Sequence, residues 1–262
     1  MAGRIRRKLA SRYKCGVVFT HPQKCGGSSL EAALFRKYRF SHERIHTLDA
    51  REAVRALNNI NSGVKSGALP ETEALLFCQQ AASYAMQRGV KCVTGHNPLT
   101  PAMREAYAPD WKFITLLREP VERFCSHLRY SYNSGMETSA GDDIDAFLET
   151  PRARWWGGLY ATFFGGWLNV NEPVSPAMID EARALILDLD AVGFLDRTPD
   201  FERALSALLG AKLSIGHVNR TSDRATAWRG EFSEAQMDKI RTLCQPSTDI
   251  YGFVREKLIT GG

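Results

Sequence analysis

The sequence predicts an α/β fold, a single domain with a central, mainly parallel β-sheet flanked by helices. Short apolar runs typical of buried strands occur at residues 16–20, 90–94, 112–117 and 191–194, and segments of helical length separate them. Strands that alternate with helices form parallel sheets with right-handed crossovers. The first strand, the turn after it and the next helix also form a P-loop-like strand–loop–helix of the kind that binds phosphate.

The helices are predicted from their periodicity and their end signals. Gly89 is a good residue to end the third helix, and the spacing of Ser233 and Gln236 is a capping box that opens the last one. The predicted helices cover residues 29–38, part of 48–57, 71–88, 120–134, 175–189, 201–209 and a C-terminal segment from 234. Residues 152–160 are predicted to form a glycine-containing loop.

Length and composition indicate one large domain. The chain has 262 residues, of which 44% are hydrophobic and 24% charged, so it can bury a sizeable core without extensive disorder. The domain is predicted to span residues 15–262, after a basic segment at residues 1–14. That segment is either a solvated terminus or a weak contact with an anionic membrane surface.

Charge, cysteine content and hydropathy bear on three kinds of function: nucleic-acid binding, metal binding and membrane insertion. The net charge of +5 suits a site for a multiply anionic ligand but is too small to indicate a nucleic-acid partner. Six cysteines without metal-ligand spacing predict free thiols in a reducing compartment and no metal site. No apolar run is long enough to form a transmembrane segment, and no signal-peptide core is found. We therefore expect a cytoplasmic protein.

The turn after the first strand is the most informative segment. It is basic and rich in glycine and hydroxyl side chains. Glycines let backbone N–H groups approach an anion, and the following helix N-terminus adds partial positive charge. In the P-loop of nucleotide hydrolases the lysine follows the last glycine, whereas here it precedes the glycine pair. The residues predicted to bind phosphate are Lys24, Cys25, Gly26, Gly27, Ser28 and Ser29.

A second anion-binding signal follows the predicted strand at residues 112–117. Arg118 lies at the carboxyl end of this strand, where open α/β sheets bind ligands, and its planar guanidinium suits a phosphate. Pro120 suits the first turn of a helix, on which Ser126 adds a hydroxyl about two turns later. The alternative is that Arg118 only pairs with a neighbouring glutamate.

Both motifs resemble those of the sulfotransferases that use 3′-phosphoadenosine 5′-phosphosulfate (PAPS). The loop is similar to the His-x-Pro-Lys-Thr/Cys-Gly-Gly-Thr/Ser-Ser of the branch with heparan sulfate 2-O- and 6-O-type enzymes, although Gln23 stands where proline is usual. Residues 117–126 resemble the 3′-phosphate motif Leu-Arg-Asp-Pro-x-x-Arg…Ser. Weaker similarities, in the family's order, extend the resemblance over residues 16–255.

The resemblance implies a sulfotransferase that moves a sulfuryl group from PAPS to a hydroxyl of a carbohydrate or glycan, without a metal. Lys24 would stabilise the charge on the departing oxygen. Arg118 and Ser126 would bind the 3′-phosphate, and Arg220 and Thr221 in a late turn would close over the nucleotide. Many enzymes of this branch carry a membrane anchor, so this chain is either a soluble relative or one whose anchor has been removed.

A hydroxyl acceptor must lose its proton, which requires a base. His96 is the candidate for this role and for acceptor contact, because it follows a glycine at the ligand-facing edge, and the family has a histidine in a comparable place. The alternative is a histidine bonded to loop backbone. His21 is the competing base, although it is better placed to support the loop, and His127 is predicted to be structural.

Acceptor binding is predicted for a basic and aromatic group formed by Arg154, Trp155 and Trp156. Such a surface stacks a sugar ring and holds a carboxylate or sulfate; the alternative is that the two tryptophans pack in the core. Two other functions stay open. One is a P-loop-like nucleotide kinase or hydrolase, and the other is a catalytically silent module that binds a nucleotide or glycan.

Overall fold

The computed structural model describes residues 15–38, 45–60, 70–108, 110–133, 143–216 and 232–260. The basic segment at residues 1–14 and the late turn with Arg220 and Thr221 lie outside these ranges. The strands are β1 (Gly16–Thr20), β2 (Ile45–Leu48), β3 (Cys92–Gly95), β4 (Trp111–Leu117) and β5 (Ala191–Phe194).

The helices within the described ranges alternate with these strands and then gather in the second half of the chain. They are α1 (Gly27–Tyr38), α2 (Ala50–Ile60), α3 (Pro70–Gln87), α4 (Pro101–Tyr107), α5 (Pro120–Asn133), α6 (Ile144–Leu148), α7 (Pro151–Gly157), α8 (Leu159–Phe164), α9 (Pro176–Leu187), α10 (Thr198–Leu208) and α11 (Glu234–Thr260).

The five strands form one parallel sheet in the order β2-β3-β1-β4-β5, which confirms the predicted α/β fold. β1 and β5 have the predicted bounds. The sequence does not predict β2, a four-residue edge strand that pairs with β3 among the described strands; its sequence Ile-His-Thr-Leu is too short to form a distinctive apolar run.

The sheet has a core on each face, because successive side chains of a strand point in opposite directions. Val17 and Phe19 of β1 pack in a cluster with α1 and α10, whereas Val18, between them, belongs to the larger cluster on the other face. All three side chains are fully buried. This two-sided burial explains the nearly continuous apolar runs of β1 and β4.

The prediction of a loop at residues 152–160 is wrong, because these residues lie in α7 and α8. Pro151 occupies the first turn of α7, and the Thr150 hydroxyl accepts a hydrogen bond from the Ala153 N–H, so both helix-start signals are present. Gly157 serves packing: a Cβ there would come within 2.1 Å of the Leu243 carbonyl oxygen of α11. Glycine in this segment allows two helices to approach closely.

The C-terminal helix begins at the predicted capping box. The Ser233 hydroxyl accepts from the Gln236 N–H at 3.2 Å, and the Gln236 side-chain oxygen accepts from the Ser233 N–H at 3.0 Å. α11 then packs against α5, α7 and α9. No helix among the described residues is long and apolar enough to cross a membrane.

Candidate functional site

The carboxyl ends of all the strands lie at one edge of the sheet, because the sheet is parallel. The loop with Lys24 follows β1, His96 follows β3 and Arg118 follows β4. Thr20 contacts both neighbouring segments: its hydroxyl donates to the Asn97 carbonyl at 3.0 Å, and its carbonyl accepts from the Thr115 hydroxyl of β4 at 2.8 Å. The fold therefore places three residues that are far apart in sequence on neighbouring strand ends.

The loop between β1 and α1 has an unusual backbone. Lys24 has a φ of 67° and Gly26 a φ of 80°, both in the left-handed region, which costs little for glycine but is strained for lysine. The Ser29 N–H donates to the Gly26 carbonyl at 3.2 Å, so the turn leads directly into α1. Such a turn exposes successive N–H groups, as an anion cradle requires.

The His21 ring packs against this loop at Gly27. A Cβ on Gly27 would lie 2.3 Å from the His21 ring, so only glycine fits where α1 begins. His21 Nε2 lies 3.3 Å from Glu31 Oε1. Burial opposes ionisation of Glu31, but its hydrogen bond to His21 holds the pKa of Glu31 below its usual value. The structure shows the supporting contact that the sequence predicted for His21.

Lys24 extends over an aromatic ring. Its Nζ lies 3.8 Å from the centroid of the Tyr130 ring, which is cation–π contact. Burial, and then the positive charges of Arg118 and Arg51, lower the pKa of Lys24 below its ordinary value. A partly desolvated cation near other cations gains most from an anionic ligand.

Arg118 reaches the same loop from β4. Its Nη1 donates to the Lys24 carbonyl at 3.5 Å. The predicted alternative, a glutamate partner, is also present, but Arg118 Nε lies 3.5 Å from a Glu122 carboxylate whose side chain is 66% exposed. Arg118 Nε is buried and has no hydrogen-bond partner among the described residues. The guanidinium therefore retains capacity for an anion.

Tyr160 fixes the Arg118 backbone and was not predicted as a site residue. Its hydroxyl accepts from the Arg118 N–H at 2.9 Å, donates to the Arg118 carbonyl and lies 3.6 Å from Cys25 Sγ. Burial raises the pKa of both the Tyr160 hydroxyl and the Cys25 thiol. This neutral contact connects the loop at Cys25 with the end of β4, and no local sequence pattern identifies it.

Both the backbone and the ring of His96 form hydrogen bonds. Its N–H donates to the Leu48 carbonyl at 2.8 Å, and its Nδ1 accepts from the Ala50 N–H at 3.3 Å. The ring centroid lies 5.0 Å from that of His21. Burial, with the neighbouring His21, lowers the pKa of His96 to about 3. The ring is therefore neutral at pH 7, and the alternative of a backbone-bonded histidine is seen in the structure.

The hydroxyl groups of the two motifs lie at the expected places along their helices. Ser28 is exposed in the first turn of α1, and Ser126 is half-buried on α5. No hydrogen bond joins Ser126 to Arg118 within the described part of the chain, so its phosphate contact stays a prediction. The second arginine of the motif has another role: Arg123 is fully buried and donates to the Trp156 carbonyl.

The structure corrects the predicted acceptor surface. Trp155 and Trp156 are 2% and 4% exposed, so neither ring has a free face for a sugar. Trp156 stacks on His127 at 3.9 Å between ring centroids, which makes His127 a core residue as predicted. Arg154 is exposed and donates to the Val170 carbonyl at 3.1 Å. The alternative reading, tryptophans in the core, is the correct one.

Two further charged residues at the site were missed because β2 was missed. Asp49 and Arg51 follow this strand at the carboxyl edge, and the Arg51 N–H donates to Asp49 Oδ1 at 2.7 Å. Arg51 Nη1 also donates to the Tyr130 hydroxyl at 3.2 Å. Within the described ranges, no group of His, Cys, Asp and Glu side chains could hold a metal ion.

No protein-family model and no curated protein matches the chain. Among solved structures, it is similar to a sulfotransferase from Alicyclobacillus acidocaldarius, with 18% identity over 94% of this chain and 96% of that one and a TM-score of 0.47. It is also similar to an unliganded sugar kinase from Janibacter sp. HTCC2649, with 12% identity over 74% of this chain and 94% of that one and a TM-score of 0.34.

Proposed function

We propose that this chain is a PAPS-dependent sulfotransferase that acts on a hydroxyl of a carbohydrate or glycan. The observation that carries the proposal is the contact between Arg118 Nη1 and the Lys24 carbonyl at 3.5 Å. It brings an arginine from β4 against the glycine-rich loop from β1. A donor with a phosphosulfate at one end and a separate 3′-phosphate needs two adjacent anion sites of this kind.

The residues present suit this donor. The left-handed turn at Lys24 and Gly26 and the N-terminus of α1 would bind the 5′-phosphosulfate, with Gly27, Ser28 and Ser29 lining the turn. Arg118, whose Nε lacks a hydrogen-bond partner among the described residues, would bind the 3′-phosphate. In this proposal Cys25 shapes the loop from the buried side, Ser126 adds a hydroxyl, and Arg220 and Thr221 complete the nucleotide site.

Lys24 is the proposed catalytic cation. In the donor, the sulfuryl group is attached to a phosphate oxygen. Negative charge increases on this oxygen as the sulfuryl group is transferred. An ammonium close to that phosphate stabilises the transition state more than the ground state. Lys24 precedes the glycine pair, so its side chain extends from near the end of the strand. In nucleotide hydrolases the lysine instead follows the last glycine.

His96 is the proposed base, and His21 is the competing one. With Nδ1 accepting from Ala50, the neutral His96 ring carries its proton on Nε2 and has no free lone pair. That contact is 3.3 Å long, at the weak end of hydrogen bonding. In the proposed mechanism the ring gives up this contact, and the freed lone pair of Nδ1 accepts the proton of the acceptor hydroxyl while Nε2 keeps its own proton.

A cytoplasmic location belongs to the same proposal. All six cysteines are free thiols, and five of them are buried, which suits a reducing compartment. Acceptor contact is proposed for His96 at the strand edge and for the exposed Arg154. The glycan class of the acceptor rests on the resemblance of the loop.

The proposal is tested by transfer of radioactive sulfur from labelled PAPS to a panel of glycans that carry free hydroxyls. Lys24→Ala should lose most of this turnover, by about 10² to 10³ as for removal of one group that stabilises transition-state charge. Lys212→Ala, an exposed lysine on another loop, is the matched control. Binding without transfer to any acceptor would favour a silent binding module, and turnover of magnesium-ATP would favour a kinase.

A further inference from the structure

Two cations of the candidate site meet on a single tyrosine. The Lys24 ammonium lies over the Tyr130 ring at 3.8 Å from its centroid, and Arg51 Nη1 donates to the Tyr130 hydroxyl at 3.2 Å. Tyr130 belongs to α5 and Arg51 to the first turn of α2. One side chain therefore contacts residues from two other segments at the carboxyl edge of the sheet.

Arg51 is itself fixed by a neighbour. Asp49 Oδ1 accepts from the Arg51 N–H at 2.7 Å, and Asp49 Oδ2 lies 3.4 Å from Arg51 Nη2. The hydrogen bonds and charge of Arg51 hold the pKa of Asp49 below its usual value although burial opposes this, so the carboxylate stays ionised. The arginine that orients the tyrosine hydroxyl is thus held at its backbone and at its guanidinium.

An aromatic face holds a lysine in a way that a carboxylate does not. An ion pair would neutralise the ammonium and compete with an anionic ligand, whereas the ring attracts the cation and leaves its charge available. Lys24 needs such a contact because its side chain has several rotatable bonds and its ammonium is partly desolvated near Arg118 and Arg51. Tyr130 is 37% exposed, so the contact borders solvent, from which a ligand arrives.

We propose that Tyr130 is a positioning residue for Lys24. Its ring holds the charged ammonium at the phosphate loop, and the hydrogen bond from Arg51 orients the ring. The consequence for turnover rests on the proposed function, in which Lys24 stabilises the departing phosphate. The positioning of the ammonium does not depend on the proposed function, and it is measured separately.

The position of the ammonium is tested by NMR on the folded, full-length chain after reductive methylation of lysines with ¹³C-formaldehyde. The Lys24 signal is assigned by its loss in Lys24→Arg. Ring currents should shift this signal upfield in the wild type and in Tyr130→Phe, and the shift should vanish in Tyr130→Leu. Tyr84→Leu, which removes a 65% exposed tyrosine, should change nothing. An unshifted wild-type signal, or the same shift in Tyr130→Leu, overturns the proposal.

The effect on catalysis is tested by the separation of kcat from KM. Tyr130→Leu should lower kcat about tenfold, the order expected for loss of one cation–π contact, and change the KM for PAPS less than about threefold. Tyr130→Phe, which keeps the ring, should recover most of kcat. A wild-type kcat in Tyr130→Leu contradicts positioning. If the wild type transfers no sulfuryl group, the proposed function fails and the NMR shift alone decides the role of Tyr130.

Discussion

The imidazole of His21 lies against the α-carbon of Gly27, so closely that a Cβ at residue 27 would be 2.3 Å from the ring. This contact supports the loop between β1 and α1 at the point where α1 begins. Because the ring is buried and held by Glu31, it has little room to move away.

Gly27→Ala should therefore destabilise the fold by about 1–3 kcal/mol, the usual cost of overpacking, and disturb the loop. Gly252→Ala is the matched control, because its Cβ meets nothing within 4 Å on an exposed face of α11. This control should raise stability by about 0.5–1 kcal/mol. Urea unfolding of both variants checks the pair, and equal stabilities would argue against the contact.

Arg118→Ala should weaken binding of adenosine 3′,5′-bisphosphate by about 10- to 150-fold, the loss expected for a charged hydrogen bond of 1.5–3 kcal/mol. Binding of adenosine 5′-phosphate should change much less, because the proposed contact is to the 3′-phosphate. Glu122→Gln is the complementary variant. It removes the 3.5 Å carboxylate neighbour of Arg118, so binding should stay equal or tighten. Calorimetry gives all the constants, and an equal loss for both nucleotides in Arg118→Ala would discard the 3′-phosphate contact.

His96→Asn separates the two roles of this residue. The asparagine oxygen can accept the Ala50 N–H, as Nδ1 does, but an amide cannot take a proton. We expect transfer to fall by about 10² to 10⁴, the range for loss of a general base, with nucleotide affinity close to wild type. Transfer at the wild-type rate would assign the base to His21 or to another group and leave His96 as a backbone contact.

Stability should decrease in mild acid. Burial, with His21, lowers the pKa of His96 to about 3, and burial lowers the pKa of His127 well below its usual 6.5. Below pH 6.5 the unfolded chain binds protons that the folded chain does not. The stability that the two neutral histidines contribute is therefore complete above pH 6.5. It decreases as the pH falls below 6.5.

Each histidine contributes a slope of up to about 1.4 kcal/mol per pH unit. Urea unfolding between pH 7.5 and 5 measures the slope, and His96→Asn should reduce it by the contribution of one proton. A flat profile for the wild type would contradict the lowered pKa values of His96 and His127.

The sequence predicts the parts of the site that are local. The loop at Lys24–Ser29, the strand before Arg118 and the capping box at Ser233 each carry their signal within a few residues, and the structure has the corresponding elements in place. The short edge strand β2 has no such signal, so Asp49 and Arg51 were not connected to the site.

Other contacts depend on tertiary packing. The Tyr160 hydroxyl meets Arg118 across 42 residues, and Tyr130 meets Lys24 from another helix, so neither has a local pattern. The prediction of a surface position for Trp155 and Trp156 fails because it depends on a loop at residues 152–160. The helix-start signals at Thr150 and Pro151 indicate α7 instead.

The central claim is that the loop at Lys24 and the guanidinium of Arg118 form one site for a nucleotide with a 3′-phosphate. Calorimetric titration with adenosine 3′,5′-bisphosphate, compared with adenosine 5′-phosphate and magnesium-ATP, tests it most directly. We predict tight binding of the bisphosphate that weakens sharply when the 3′-phosphate is absent. No binding of the bisphosphate, or a preference for magnesium-ATP, would contradict the account.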